Sequence, residues 1–169
     1  MIELEKLKTD FDKSFSEPPI DQKTESVKIL CFRLENDPFG IPIEYVREIL
    51  TKHHISRVPG APDFIKGVMN LHGEIISVSV IHSIFKLVLP RAWSALPVIV
   101  LKNLPFDTSI LVNSIIGIID VEKDHLHSPS VLQNAEISEL ISSGFKYLDE
   151  MVMIPDMVKL GNSKYLQID

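Results

Sequence analysis

The chain has 169 residues, 45% of them hydrophobic and 7% aromatic, enough for one ordinary core or two small linked ones. A net charge of −6 and a pI near 5.5 leave no concentrated basic face for nucleic-acid phosphates or an anionic membrane surface. No apolar run reaches the ~18 residues that cross a bilayer, and the single cysteine, Cys31, cannot close an internal disulfide, so a cytoplasmic protein is expected, without direct membrane insertion.

Residues 1–26 are rich in Lys, Glu, Asp and Ser, yet Leu4, Leu7, Phe11 and Phe15 recur at helical spacing. Two readings stand: a flexible leader, favoured by Glu17-Pro18-Pro19 and the polar run after it, or a short amphipathic helix that docks on the domain or on a partner. Ordered structure is expected from Val27, where Leu30, Phe32 and Leu34 alternate with Cys31 and Arg33 along a strand. Asn36-Asp37-Pro38 signals a turn, and Phe39 to Ile43 reads as the returning strand. Glu44 to Leu50 places Val46, Ile49 and Leu50 at i, i+3 and i+4, the pattern of a short helix with one apolar face.

Pro59 and Pro62 stiffen the next approach and bias Val58 and Ala61 toward extended backbone. Asp63 is placed to cap a single helical turn through Lys66, with Gly67 ending it. A hairpin follows: Val68 to Leu71 and Glu74 to Ile81 are strand-like, joined at His72-Gly73. Its second arm sets Ile76, Val78 and Val80 on one face against Ser77 and Ser79 on the other.

Farther on, His82 to Val88 is apolar at helical spacing, and Pro90 to Pro97 reads as a loop. Val98 to Leu101 has strand length, Asn103 to Thr108 turns at Pro105, and another strand begins at Ile110. Alternation resumes through Ile115, Ile116, Ile118, Ile119 and Val121, with Gly117 marking a bulge or close approach. Gln133 to Ile141 fits a short helix or a loop equally. Phe145 to Tyr147 and Met151 to Ile154 flank a turn at Leu148-Asp149-Glu150, and Pro155 is placed to open a last helix through Leu160.

Catalysis finds no candidate. His125 and His127 would need a third ligand that no spacing identifies, and His53-His54 is a loop pair, so no metal or other cofactor is expected. Cys31, mid-strand between Leu30 and Phe32, reads as a packing residue rather than a nucleophile. A metal- or thiol-dependent enzyme on a β scaffold would rest on the histidine count and Cys31 alone.

Ala61-Pro62-Asp63-Phe64-Ile65-Lys66-Gly67-Val68, followed by Asn70-Leu71-x-Gly73, resembles the A-P-x-F-I-K-G-V-x-N-L-R-G block of the CheW-like family of chemotaxis adaptors. Phe39 to Ile43 is similar to the family's Y-G-I-x-I return, and Val46-x-Glu48-Ile49 to its V-x-E-I helix, with Glu48 in the glutamate position. His72 stands where the family has arginine, and Asn113 where it has the aspartate of L-V-D-S-V. Ser77, Val80 and His82 replace the proline, aspartate and arginine of the V-I-P-V-I-D-L-R run.

The short strands and tight turns by themselves suggest an all-β or β-rich class with short helices. The resemblance adds an arrangement: two small five-stranded SH3-like β-barrels around a shared hydrophobic core, with residues 27–161 as the domain, residues 1–26 as leader and residues 162–169 as tail. It also implies a non-catalytic adaptor that joins a methyl-accepting chemoreceptor's cytoplasmic tip to the regulatory domain of a CheA-type histidine kinase. Val46, Glu48, Gly67, Asn70, Leu71, His72 and Gly73 would lie at or support the partner surfaces. A divergent module serving motility or pilus control with other partners is the neighbouring alternative. By the same matching His72 falls near Glu48; it either supplies a contact whose charge changes near physiological pH or simply finishes the hairpin turn in water.

Overall fold

The computed structural model describes residues 24–129, 135–163 and 166, and the leader face from Leu4 to Phe15 lies outside them. The described residues form two five-stranded sheets. The first contains β1 (Ser26–Leu34), β2 (Asp37–Pro42), β8 (Ser114–Glu122), β9 (Ile141–Tyr147) and β10 (Glu150–Pro155), in the order β8-β1-β2-β10-β9. The second contains β3 (Val46–Leu50), β4 (Ile65–Leu71), β5 (Glu74–Ser79), β6 (Val98–Leu101) and β7 (Thr108–Leu111), in the order β3-β6-β7-β5-β4. Each sheet curls until its ends meet. His127 bridges to Gly144 of β9 in the first, and Ser56 bridges to Val68 of β4 in the second, which gives the two SH3-like barrels.

Strand alternation explains how one chain fills three cores. Ile29 and Cys31 of β1 point into the first barrel with Val121, Phe145, Val152 and Ile154. Leu30, Phe32 and Leu34, one residue out of phase, point into a larger core shared by both barrels. There Phe39 meets Phe32 at 6.2 Å and Phe85 at 4.8 Å between ring centroids, and Val46, Ile99, Leu101 and Ile110 arrive from the second sheet. Met69, Leu71, Ile76, Val78, Val80 and Val100 fill the second barrel itself.

Several local expectations change. The helix expected over Glu44 to Leu50 is only a 3-10 turn, Ile43–Tyr45, followed by strand β3, because β6 offers a ladder partner for all but Arg47, which bulges out of register. The helical turn after Asp63 is instead a tight turn in which Ile65 N–H donates to Pro62 C=O at 2.9 Å, so β4 starts at once. His82–Phe85 is a 3-10 turn that stops when Lys86 enters the left-handed region. Of the stretch expected as helix or loop, residues 135–141 form a short helix, α1 (Ala135–Glu139), and the start of β9, while residues 130–134 lie outside the described set. Asp156, rather than Pro155, opens the last helix, α2 (Met157–Gly161), by accepting from Lys159 N–H at 3.0 Å.

The face of β5 carrying the serines is not solvated as alternation implied. Ser79 is fully buried beside Thr108, with 3.1 Å between the hydroxyls, and Ser77 donates to the same Thr108 oxygen at 3.0 Å. Parallel pairing of β5 with β7 is thus reinforced by a hydroxyl ladder that leaves little unsatisfied. Gly117 does mark a bulge: the β1–β8 register shifts between its partner Cys31 and Phe32.

Candidate functional site

The second barrel's rim assembles from strand β3 and the β4–β5 hairpin. His72 and Gly73 both take positive φ, +51° and +89°, the conformation of a two-residue hairpin turn matched to strand twist. Asn70 completes the turn by accepting Gly73 N–H on Oδ1 at 3.0 Å. The turn holds the imidazole out from the barrel, and His72 Nε2 lies 3.3 Å from Glu48 Oε1 on β3. The bulge at Arg47 turns its guanidinium to Glu74, 2.6 Å away on the same hairpin. Arg47, by hydrogen bond and then by charge, holds the Glu74 carboxyl below its ordinary range, and His72 adds a smaller pull. An ion pair and a histidine–carboxylate contact therefore cross one seam side by side.

The seven expected site residues divide by exposure. Asn70, His72 and Gly73 are exposed and Glu48 is half-buried at their edge. Val46 and Leu71 are buried in the shared core and the second barrel's core, and Gly67 is buried under Ser56, so these three support the rim without displaying anything on it. Gly67 answers to close approach: an added Cβ would run into the Ser56 carbonyl, where the backbones exchange hydrogen bonds at 2.8 and 2.9 Å. Gly73 has nothing within 4 Å of such a Cβ and answers to turn conformation alone.

Sequence reasoning missed Arg47 and Glu74, hidden because β3 was read as a helix. Once β3 is a strand and the barrel closes through Ser56 and Val68, β3 comes round to the hairpin, and Arg47 beside Glu48 meets Glu74 near His72. Apolar neighbours complete the surface: Ile75, cross-strand from Asn70, is 64% exposed, and Ile49 on β3 is 37% exposed.

Residues 28–164 match the family model of the CheW-like domain. The chain belongs to the CheW-like family. It is 27% identical over 153 residues to the chemotaxis protein CheW of Treponema pallidum, covering 88% of this chain and 90% of that one. The Klebsiella aerogenes chemotaxis protein CheW is 41% identical over 56 residues, 33% of this chain and 34% of that one. The crystal structure of the scaffolding protein TtCheW from Thermoanaerobacter tengcongensis shares the fold, with a TM-score of 0.74 at 22% identity over 85% of this chain and 98% of that one. As a CheW-like domain the chain is a chemotaxis scaffold and not an enzyme.

The residues once weighed for chemistry have other engagements. Cys31 is fully buried, and desolvation pushes its thiol up to about 11, far from a reactive thiolate. His53 Nε2 is 2.7 Å from Leu96 C=O, His125 lies 3.9 Å from Glu122, and His127 bridges the barrel through its backbone. Among the described residues no group of three His, Cys, Asp or Glu gathers in metal-binding geometry, and no helix is long and apolar enough to cross a membrane.

Most departures from the family pattern lie away from the rim. Val80 is 5% exposed and His82 is 1% exposed. His82 Nε2 and Asn113 Oδ1 are 2.7 Å apart, and the same oxygen accepts Glu35 N–H at 2.8 Å. This joins the β1–β2 turn of the first barrel to the 3-10 turn after β5 of the second.

Proposed function

We propose that this CheW-like chain acts in the cytoplasm as a coupling adaptor, joining a methyl-accepting chemoreceptor's cytoplasmic tip to the regulatory domain of a CheA-type histidine kinase. The observation that carries this reading is the rim seam, where His72–Glu48 and Arg47–Glu74 lie beside exposed Ile75 on a closed barrel. A rigid rim holding apolar contacts beside charged partners gives both burial and orientation to a protein partner. Asn70, His72, Gly73 and Glu48 meet the partner, while Val46, Gly67 and Leu71 hold the strands that carry them.

Calorimetric titration of purified kinase regulatory domain and receptor tip from the same organism tests the reading. Glu48→Lys, which sets like charge beside Arg47 and removes the His72 contact, is expected to weaken one of these contacts about tenfold, or 1.4 kcal/mol. Absence of binding by the unmodified chain to both would refute the reading. The second reading, a module for motility or pilus control, draws on His72, since the departures at Val80 and His82 are buried inside the fold.

A further inference from the structure

A polar cleft of about 230 Å³ opens on the second barrel between the start of β4 and the 3-10 turn Trp93–Ala95, walled by Arg57, Val58, Pro62, Asp63, Lys66 and Trp93. It is a surface separate from the rim seam: Lys66 stands at the start of β4 and His72 just past its end, six residues on and ~20 Å away. Backbone and side-chain bonds fix its walls. Ser56 and Val68 exchange hydrogen bonds at 2.8 and 2.9 Å, and Ile65 N–H donates to Pro62 C=O. His53 Nε2 lies 2.7 Å from Leu96 C=O, which ties the loop before the cleft to the turn across from it.

Two cations are held in this cleft without a counter-charge. Arg57 lies over the Trp93 ring, its guanidinium carbon 5.7 Å from the centroid, and Lys66 Nζ donates to Asp63 C=O at 2.9 Å. Among the described residues no carboxylate pairs with either cation. The segments flanking the cleft, residues 51–62 and 90–97, carry Lys52, Arg57 and Arg91 and no Asp or Glu, in a chain whose net charge is −6. We propose that this cleft binds an acidic side chain on a short extended segment of a partner protein. The guanidinium fork, already oriented by the indole, matches a carboxylate, and Lys66 adds a point charge beside it. Asp63 decides between a peptide and a phosphate. Its carboxylate takes no hydrogen bond among the described residues, and Asp63 lines the same cleft. There it repels a doubly charged phosphate but accepts the backbone N–H that accompanies an acidic side chain. Half-buried Trp93, with Val58 and Pro62, gives the next apolar side chain a platform, and tryptophan beside arginine is the pairing that anchors protein contacts.

Trp93 is the chain's single tryptophan, so its fluorescence reads the cleft directly. The full chain is titrated with the acetylated and amidated peptide Glu-Leu-Glu-Glu, with its Gln-Leu-Gln-Gln counterpart, with inorganic phosphate and with phosphatidylserine vesicles. A saturable change is expected with the acidic peptide, and the glutamine peptide should bind about tenfold more weakly. Arg57→Gln and Lys66→Gln should each weaken the acidic peptide about tenfold as well, at unshifted urea midpoints. Glu48→Lys, at the rim, should leave its affinity unchanged. Equal affinity for the two peptides, full affinity in either cleft variant, or no saturable change overturns the assignment. Tighter binding of phosphate or of the vesicles overturns it too and gives the cations to a phosphate group.

Discussion

Replacing Gly67 by alanine tests whether the second barrel is closed where the structure closes it. The new Cβ would be forced into the Ser56 carbonyl oxygen, 2.8 Å from its carbon and 2.9 Å from Ile55 Cγ2, at a backbone φ of +153°. Two costs combine. Backbone held in a sparsely populated region costs about 1–3 kcal/mol. Parting the strands also loses the reciprocal Ser56–Val68 hydrogen bonds, worth about 1 kcal/mol net each. The sum, about 3–5 kcal/mol, is a large share of a small domain's 5–15 kcal/mol. Gly73→Ala is the matched control: no atom lies within 4 Å of its Cβ, so conformational strain at φ +89° alone should cost about 1 kcal/mol. Urea denaturation of both variants, read as midpoint shifts at constant slope, separates them. Equal midpoints for Gly67→Ala and Gly73→Ala would refute the closure argument.

Three further outcomes are expected. His82, held neutral mainly by burial with a smaller opposing effect from its Asn113 bond and Glu35, has a pKa below its unfolded value. The unfolded chain therefore binds the proton first, so stability is full above the ordinary histidine value near 6.5 and falls below it, by at most ~1.4 kcal/mol per pH unit. His82→Gln keeps a donor toward Asn113 without titrating, and denaturant midpoints measured between pH 7.5 and 5 should lose this slope, the carboxylate contributions lying at lower pH. Cys31, with its thiol pushed up to about 11, should resist iodoacetamide at pH 8 in the native chain and react fully in urea, as counted by mass spectrometry. Arg33→Ala breaks a two-bond fork to Glu150, 3.1 and 2.6 Å, whose side chains are 32% and 47% exposed, so the denaturation midpoint should shift by no more than about 1 kcal/mol equivalent.

Strand content, the hairpin turn at His72-Gly73 and the bulge at Gly117 were legible because each depends on local backbone preference that residue type reveals. The pairing of His72 with Glu48 was legible only through family resemblance, since 24 residues separate them and nothing local brings them together. The strand β3 was not legible. Its apolar spacing fits a helix, and what makes it a strand is β6, about 50 residues farther along the chain, with Arg47 bulged so that Val46 and Glu48 take successive partners. Burial of Ser79 and Thr108 was equally hidden, because hydroxyls that satisfy one another across a parallel pair read in sequence as a solvent face.

The same long-range pairing gives the departures at His82 and Asn113 a joint meaning. Each taken alone would be awkward: an arginine at 82 would bury a guanidinium against a neutral amide, and an aspartate at half-buried position 113 would set a partly desolvated carboxylate against a ring that desolvation keeps neutral. A buried charge left without its counter-charge costs about 3–5 kcal/mol, whereas a neutral donor facing a neutral acceptor costs little. The two exchanges together keep the junction of the barrels neutral and hydrogen-bonded, with Asn113 also holding Glu35 N–H on the first barrel's turn. If that is why both differ, Asn113→Asp should destabilise the chain by a few kcal/mol at pH 8 and less at pH 5.5, where a protonated His82 can answer the carboxylate. A variant equally stable at both values would show that the junction does not sense the charge.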